Sequence, residues 1–163
     1  DGLVNVLLLN HHFISQPINW LTHPVWAKVI VIFTITWRWT GYNTVFFLAG
    51  LQGIEYSIYE AARIDGASAV QTFFRITLPQ LKPVVLLTAI MSTNGTLQLF
   101  DEVKNLTGGG PGNATITISQ YIYDLSFKYN PQFGYAAAVS YAILIIVALL
   151  SFIQIILADR KEK

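Results

Sequence analysis

Apolar residues fall into three long runs along the chain, set apart by two stretches rich in polar residues and turn formers. Tyr135 to Ala158 is apolar for more than twenty residues, broken by Ser140, Ser151 and Gln154. At about 1.5 Å of helix rise per residue, such a run crosses the roughly 30 Å hydrocarbon core of a bilayer. Pro24 to Leu51 is comparably long but carries Lys28, Arg38 and Gly41. Pro83 to Phe100 is shorter and holds Ser92, Thr93, Asn94, Gly95, Thr96 and Gln98. Lipid penalises polar groups, so these two runs are expected to turn their polar faces towards protein or water.

Between the first two runs the pattern becomes amphipathic. Tyr56 to Ile64 is helix-compatible, and Ala61-Ala62 leaves a flat stripe that another surface can approach closely. Asp65-Gly66 predicts a turn, because glycine accepts positive φ and aspartate bonds its own backbone. Ala67 to Leu78 predicts a second helical stretch, punctuated by Pro79 and Pro83. The expected division is an external segment 1–24, a span 25–51, a cytoplasmic loop 55–82, a span 83–100, an external loop 101–133, a span 134–158 and a cytoplasmic tail 159–163. Cations set the sidedness: Arg63, Arg75 and Lys82 lie in the first loop and Arg160, Lys161 and Lys163 in the tail, against Lys104 and Lys128 outside.

Composition narrows the chemistry. More than half of the residues are hydrophobic and 12% are charged, a membrane-protein balance. A net charge of +1 and the lack of a basic stripe argue against nucleic acid. With no cysteine there is no thiolate nucleophile or disulfide, and His11, His12 and His23 have no zinc-site spacing. Gly108 to Gly112 is followed by no Lys-Ser/Thr, so it reads as an external turn and not a phosphate cradle. Within the runs no paired carboxylates or nucleophile–base arrangement suggests an enzyme.

The loop also carries a specific signature: Glu60-Ala61-Ala62, three residues, Gly66, nine residues, then Ile76-x-Leu78-Pro79. This resembles the EAA loop of binding-protein-dependent ABC importer permeases. Gly50-Leu51-Gln52-Gly53-Ile54, Tyr59, Ile64-Asp65-Gly66-Ala67 and Leu106-Thr107-Gly108-Gly109-Gly110-Pro111 resemble the maltose, lactose and multiple-sugar permease branch. The likeness runs from about Gly2 to Gln154. One departure is Glu55, where the family usually has proline, and it bears on the approach angle of the following helix.

The resemblance implies an all-α membrane protein of the type I ABC importer permease fold. The chain would supply its last three spans and coupling helices, as the C-terminal part of a longer, multi-pass permease in a prokaryotic cytoplasmic membrane. Glu60, Ala61, Ala62, Asp65, Gly66, Ile76, Leu78 and Pro79 would contact the ATPase. Implied partners are two ATP-binding cassette subunits, a second permease that is homologous or identical, and an extracellular or periplasmic solute-binding protein. ATP and Mg would be bound by the ATPase subunits, with no cofactor in this chain, in a complex embedded in the lipid bilayer.

Arg38 lies about thirteen residues from either end of its run, or roughly 20 Å of helix, which places it near mid-membrane. A cation there requires water or a partner, so it is either a ligand group or the mate of a carboxylate on the absent part or on a second subunit. Trp37, Trp39 and Tyr42 offer faces for a sugar ring or for the guanidinium, or ordinary packing. Ser92, Thr96 and Leu99 fall at i, i+4 and i+7, a face that could line a path or glue helices together. The resemblance sets Ile35, Arg38 and Trp39 against Ser92, Thr96 and Leu99 as a carbohydrate path. An anionic sugar derivative or another polar nutrient is the alternative cargo; a passive channel or membrane scaffold is the alternative from another class.

Overall fold

The computed structural model describes residues 2–128 and 130–159, so Arg160, Lys161 and Lys163 lie outside the described residues. Among the described residues all regular structure is helical. In chain order the α-helices are α1 (Leu3–Asn10), α2 (Pro24–Gln52), α3 (Tyr56–Ile64), α4 (Ala69–Thr72), α5 (Leu78–Gln80), α6 (Lys82–Leu97), α7 (Asp101–Leu106), α8 (Ile118–Tyr123) and α9 (Phe133–Asp159). Two π-helical turns interrupt them, Phe73–Thr77 between α4 and α5, and Asp124–Lys128 after α8.

Helix α6 lies between α2 and α9. At the start of α6 the approach to α2 is close: a Cβ on Gly50 would sit 2.7 Å from Val84 Cγ2. Further along, the Asn43 amide donates to Ser92 Oγ at 3.3 Å. On its other side α6 is held to α9 by Gln154 Nε2 donating to Thr93 Oγ1 at 2.8 Å and Ser151 Oγ donating to Asn94 Oδ1 at 3.2 Å. Each such bond between helices in lipid contributes about 0.6 kcal/mol, so register is set by several weak polar contacts together. The polar residues that interrupt the apolar runs are therefore largely accounted for as contacts between helices.

Length and apolarity treat the helices unequally. Phe133–Ala158 within α9 is long and apolar enough to cross a membrane by itself. Helix α2 has 29 residues but carries Arg38, Asn43 and four threonines. Helix α6 joins the preceding helical stretch Ala69–Gln80 at a bend of 62°. Proline explains the break: Pro79 has no N–H to give the carbonyl four residues back, and its ring crowds that carbonyl, which the wider π turn before it accommodates. Pro83 then occupies the first turn of α6, where no N–H is needed. The second helical stretch expected at 67–78 thus starts at Ala69, widens at Phe73 and bends after Gln80.

Both segments expected outside are more helical than their polarity suggests. Asn5 in α1 is buried and anchors the return of the chain, its amide donating to Ile18 O at 2.9 Å and its carbonyl accepting from the Ile18 N–H and the Trp20 indole. The glycine-rich stretch is a turn, closed by Thr115 Oγ1 donating to Gly110 O at 2.7 Å. Thr117 caps α8 and ties it to the end of α6 through a 2.6 Å bond to Leu99 O. A small core of Val31, Leu99 and Val103, flanked by Ile35 and Leu106, joins α2 to α7.

Candidate functional site

Two features dominate the molecule, a cleft of mixed polar and apolar lining between α2 and α6 and a helical hairpin at the far ends of the same two helices. In the cleft, α2 contributes Ile32, Ile35, Thr36, Trp39, Thr40 and Asn43, and α6 contributes Ser92 and Thr96. The α2 residues recur at three- and four-residue intervals, as one helical face requires. The cavity they line has a volume of about 430 Å³. Its lining is uncharged, combining hydroxyls and an amide with an indole and two isoleucines. Thr36 and Thr40 donate to Ile32 O and Thr36 O at 2.8 and 2.7 Å, so their oxygens keep lone pairs for a further donor. The Trp39 indole lies against Gly95, where any Cβ would overlap the ring.

Four of the six path residues expected from sequence, Ile35, Trp39, Ser92 and Thr96, meet at this cleft. Leu99 is elsewhere, 6% exposed in the core with Val31 and Val103. The cause is the end of α6 at Leu97, after which the seven-residue spacing from Ser92 no longer describes one face. Arg38 also lies off the cleft and forms an ion pair with Glu102, which is 8% exposed at the start of α7. The carboxylate expected from an absent part or a second subunit is therefore within this chain. The Arg38 guanidinium carbon lies 5.7 Å from the centroid of the Trp39 ring. Thr36, Thr40 and Asn43 were missed although their spacing from Ile32 and Trp39 was a usable signal. Nothing in the sequence pairs Arg38 with Glu102, sixty-four positions away.

In the hairpin, α2 passes through Gly53 and Glu55 into α3. Glu55 adopts φ −60° and ψ 130°, angles that proline also takes, so the departure from the family pattern leaves the chain direction unaltered. Glu60 and Ala61 are exposed on α3, while Ala62 is buried. Asp65 caps the helix and Gly66 follows at φ 75°, the left-handed conformation that the turn requires. The Ala67 N–H reaches Ala62 O at 2.9 Å.

The second arm starts with a reciprocal cap that the sequence reading overlooked. Ser68 Oγ accepts from the Gln71 N–H at 3.3 Å and Gln71 Oε1 accepts from the Ser68 N–H at 2.8 Å. The Ser-x-x-Gln spacing was its signal. Tyr59 and Thr77 share a hydrogen bond of 3.1 Å that ties the two arms together. Ala61, Ala62, Asp65, Gly66, Gln71 and Ile76 line a concavity of about 530 Å³ between them. Ile76 is half-buried, whereas Leu78 and Pro79 are exposed after the π turn. Ile64 is 87% exposed at the hairpin tip.

Known proteins resemble this chain in sequence and in fold. The lactose transport system permease protein LacF of Rhizobium radiobacter is 57% identical over 164 residues, covering 99% of this chain and 55% of that protein. A crystal structure of a bacterial ABC transporter involved in import of the acidic polysaccharide alginate superposes with a TM-score of 0.84 at 25% identity, covering 99% of this chain and 56% of its counterpart. A second alginate transporter structure, in complex with a pentasaccharide-bound periplasmic protein, gives 0.71 at 26% identity, with coverage of 99% and 54%. The chain spans about half the length of the curated relatives it matches. Residues 3–163 match the family described as binding-protein-dependent transport system inner membrane component. With that match over nearly its whole length and the type I permease fold shared with an importer of known structure, the chain belongs to this family of ABC importer permeases.

Proposed function

We propose that this chain forms one wall of the carbohydrate path of an ATP-driven importer and carries the loop that couples the path to ATPase subunits. One observation carries the reading: the uncharged cleft lies between the helix that enters the hairpin and the helix that leaves it. A displacement of the hairpin as a unit is thereby transmitted to both walls, which is what alternating access demands. Multi-pass insertion with the hairpin in the cytoplasm fits Arg63, Arg75 and Lys82 at that end. In this reading Glu60, Ala61, Ala62, Asp65, Gly66, Ile76, Leu78 and Pro79 meet an ATPase subunit. Ile35, Trp39, Ser92 and Thr96 meet the solute, joined by Thr36, Thr40 and Asn43.

Hydroxyl and amide groups suit a neutral saccharide, because they exchange hydrogen bonds with its hydroxyls without the cost of a buried charge. The indole face suits the C–H face of a sugar ring. An anionic cargo loses its main support once Arg38 is paired with Glu102. The remaining partners are a second permease, two ATPase subunits and an external solute-binding protein. The chain lacks cysteine, which permits a direct test in the full-length protein with its subunits and any other cysteines replaced. Thr96→Cys is expected to react with a small thiol reagent and to be protected by a neutral oligosaccharide. Undiminished labelling at saturating concentrations of transported sugar contradicts the path.

A further inference from the structure

The Arg38–Glu102 pair has a chemical consequence for the cleft beside it. Arg38 immediately precedes Trp39, whose ring forms part of the wall, and the guanidinium carbon lies 5.7 Å from the centroid of that ring. The charge thus sits close to a ring that borders the space a solute would occupy. The Arg38 guanidinium carries a full positive charge. The side chain is 40% exposed, and its charge is answered within the chain. Glu102 answers it from α7, a helix that contributes nothing to the cleft lining, and is held 8% exposed beside Val103, which is fully buried in the small core joining α7 to α2.

The alginate importers give this charge balance a meaning. They share the fold of this chain and take up an acidic polysaccharide, so the architecture itself does not decide the charge of the cargo. Individual side chains must.

We infer that Glu102 is a specificity-determining residue, which excludes acidic saccharides by neutralising Arg38 beside the Trp39 ring while touching no solute itself. The inference rests on the carbohydrate-path reading above. A bare cation beside that ring, roughly 12 Å from a bound carboxylate, would strengthen binding of a carboxylate-bearing sugar by roughly tenfold at an effective dielectric of about 20, and would leave a neutral sugar nearly unaffected. The pair removes that bias. Arg38 is then the anchor of α7, and Glu102 sets the electrical character of the path.

The test uses the full-length importer complex carrying the Thr96→Cys reporter, with protection by a neutral disaccharide compared with protection by the same disaccharide oxidised to a uronic acid. Measuring on the complex without its solute-binding protein keeps that protein's own selectivity out of the result. Glu102→Gln is expected to shift the ratio of half-protecting concentrations about tenfold in favour of the acid. Arg38→Gln, which leaves the carboxylate alone, is expected to shift it in the opposite direction, and the double variant to return it to the parental value. Glu102→Asp keeps the charge and should keep the ratio. A merely structural ion pair weakens protection by both sugars in parallel, and an unmoved ratio in either single variant overturns the inference. Absence of protection by the neutral disaccharide in the parental protein instead overturns the carbohydrate reading on which it rests.

Discussion

Gly95 and Trp39 set the width of the cleft. The indole occupies the space where a side chain on residue 95 would begin, so the smallest possible addition must push the ring out of its place. Overpacking of this kind costs about 1–3 kcal/mol. Gly95→Ala is therefore expected to lower the unfolding midpoint of the detergent-solubilised complex and to weaken sugar protection of Thr96→Cys. An unchanged midpoint together with unchanged protection would show that the ring has room to spare. Sequence reading placed Trp39, Ser92 and Thr96 together because helical spacing survives into the structure along both helices. It misplaced Leu99, since the pattern carries no mark of where α6 stops. It also left Arg38 without its carboxylate, because an ion pair between α2 and α7 depends on how the chain returns after α6, which no local periodicity records.

Among the elements, the hairpin was the most legible. Turn chemistry at Asp65-Gly66 and the prolines at 79 and 83 are local causes with local effects, and α3 begins and ends where its pattern predicts. The π turn at Phe73–Thr77 was not legible, as its residues are ordinary helix formers and only the proline behind them forces the wider turn. The segments expected outside were under-read because α1, α7 and α8 have six to eight residues each and are fixed by side-chain ties such as Asn5 to Ile18 and Thr117 to Leu99. One stability prediction belongs at this scale. The Ser68–Gln71 box holds the start of α4, so Ser68→Ala is expected to cost about 1 kcal/mol of local stability. Hydrogen exchange over residues 69–77 should accelerate several-fold while α9 stays as protected as before. Equal acceleration in both regions would point to global loosening and away from a cap.

For the whole molecule, the account requires the hairpin and the cleft to work as one device. Apolar groups at the hairpin, Ile64 and Phe74 among them, are exposed, and the two long helices leading from it bound the cleft. The most direct measurement places both ends in one experiment. In proteoliposomes holding the full-length permease with its ATPase subunits, second permease and solute-binding protein, sugar uptake and ATP hydrolysis are followed together for Ala61→Arg and Gly66→Arg. Ala61 is exposed on α3 and Gly66 meets no neighbour within 4 Å, so neither change disturbs packing inside the hairpin, although Gly66→Arg adds local strain at a positive φ. The account predicts that each variant reaches the membrane, that uptake falls to background and that hydrolysis no longer responds to the loaded binding protein. Parental uptake with hydrolysis still stimulated by the binding protein, in both variants, would contradict it.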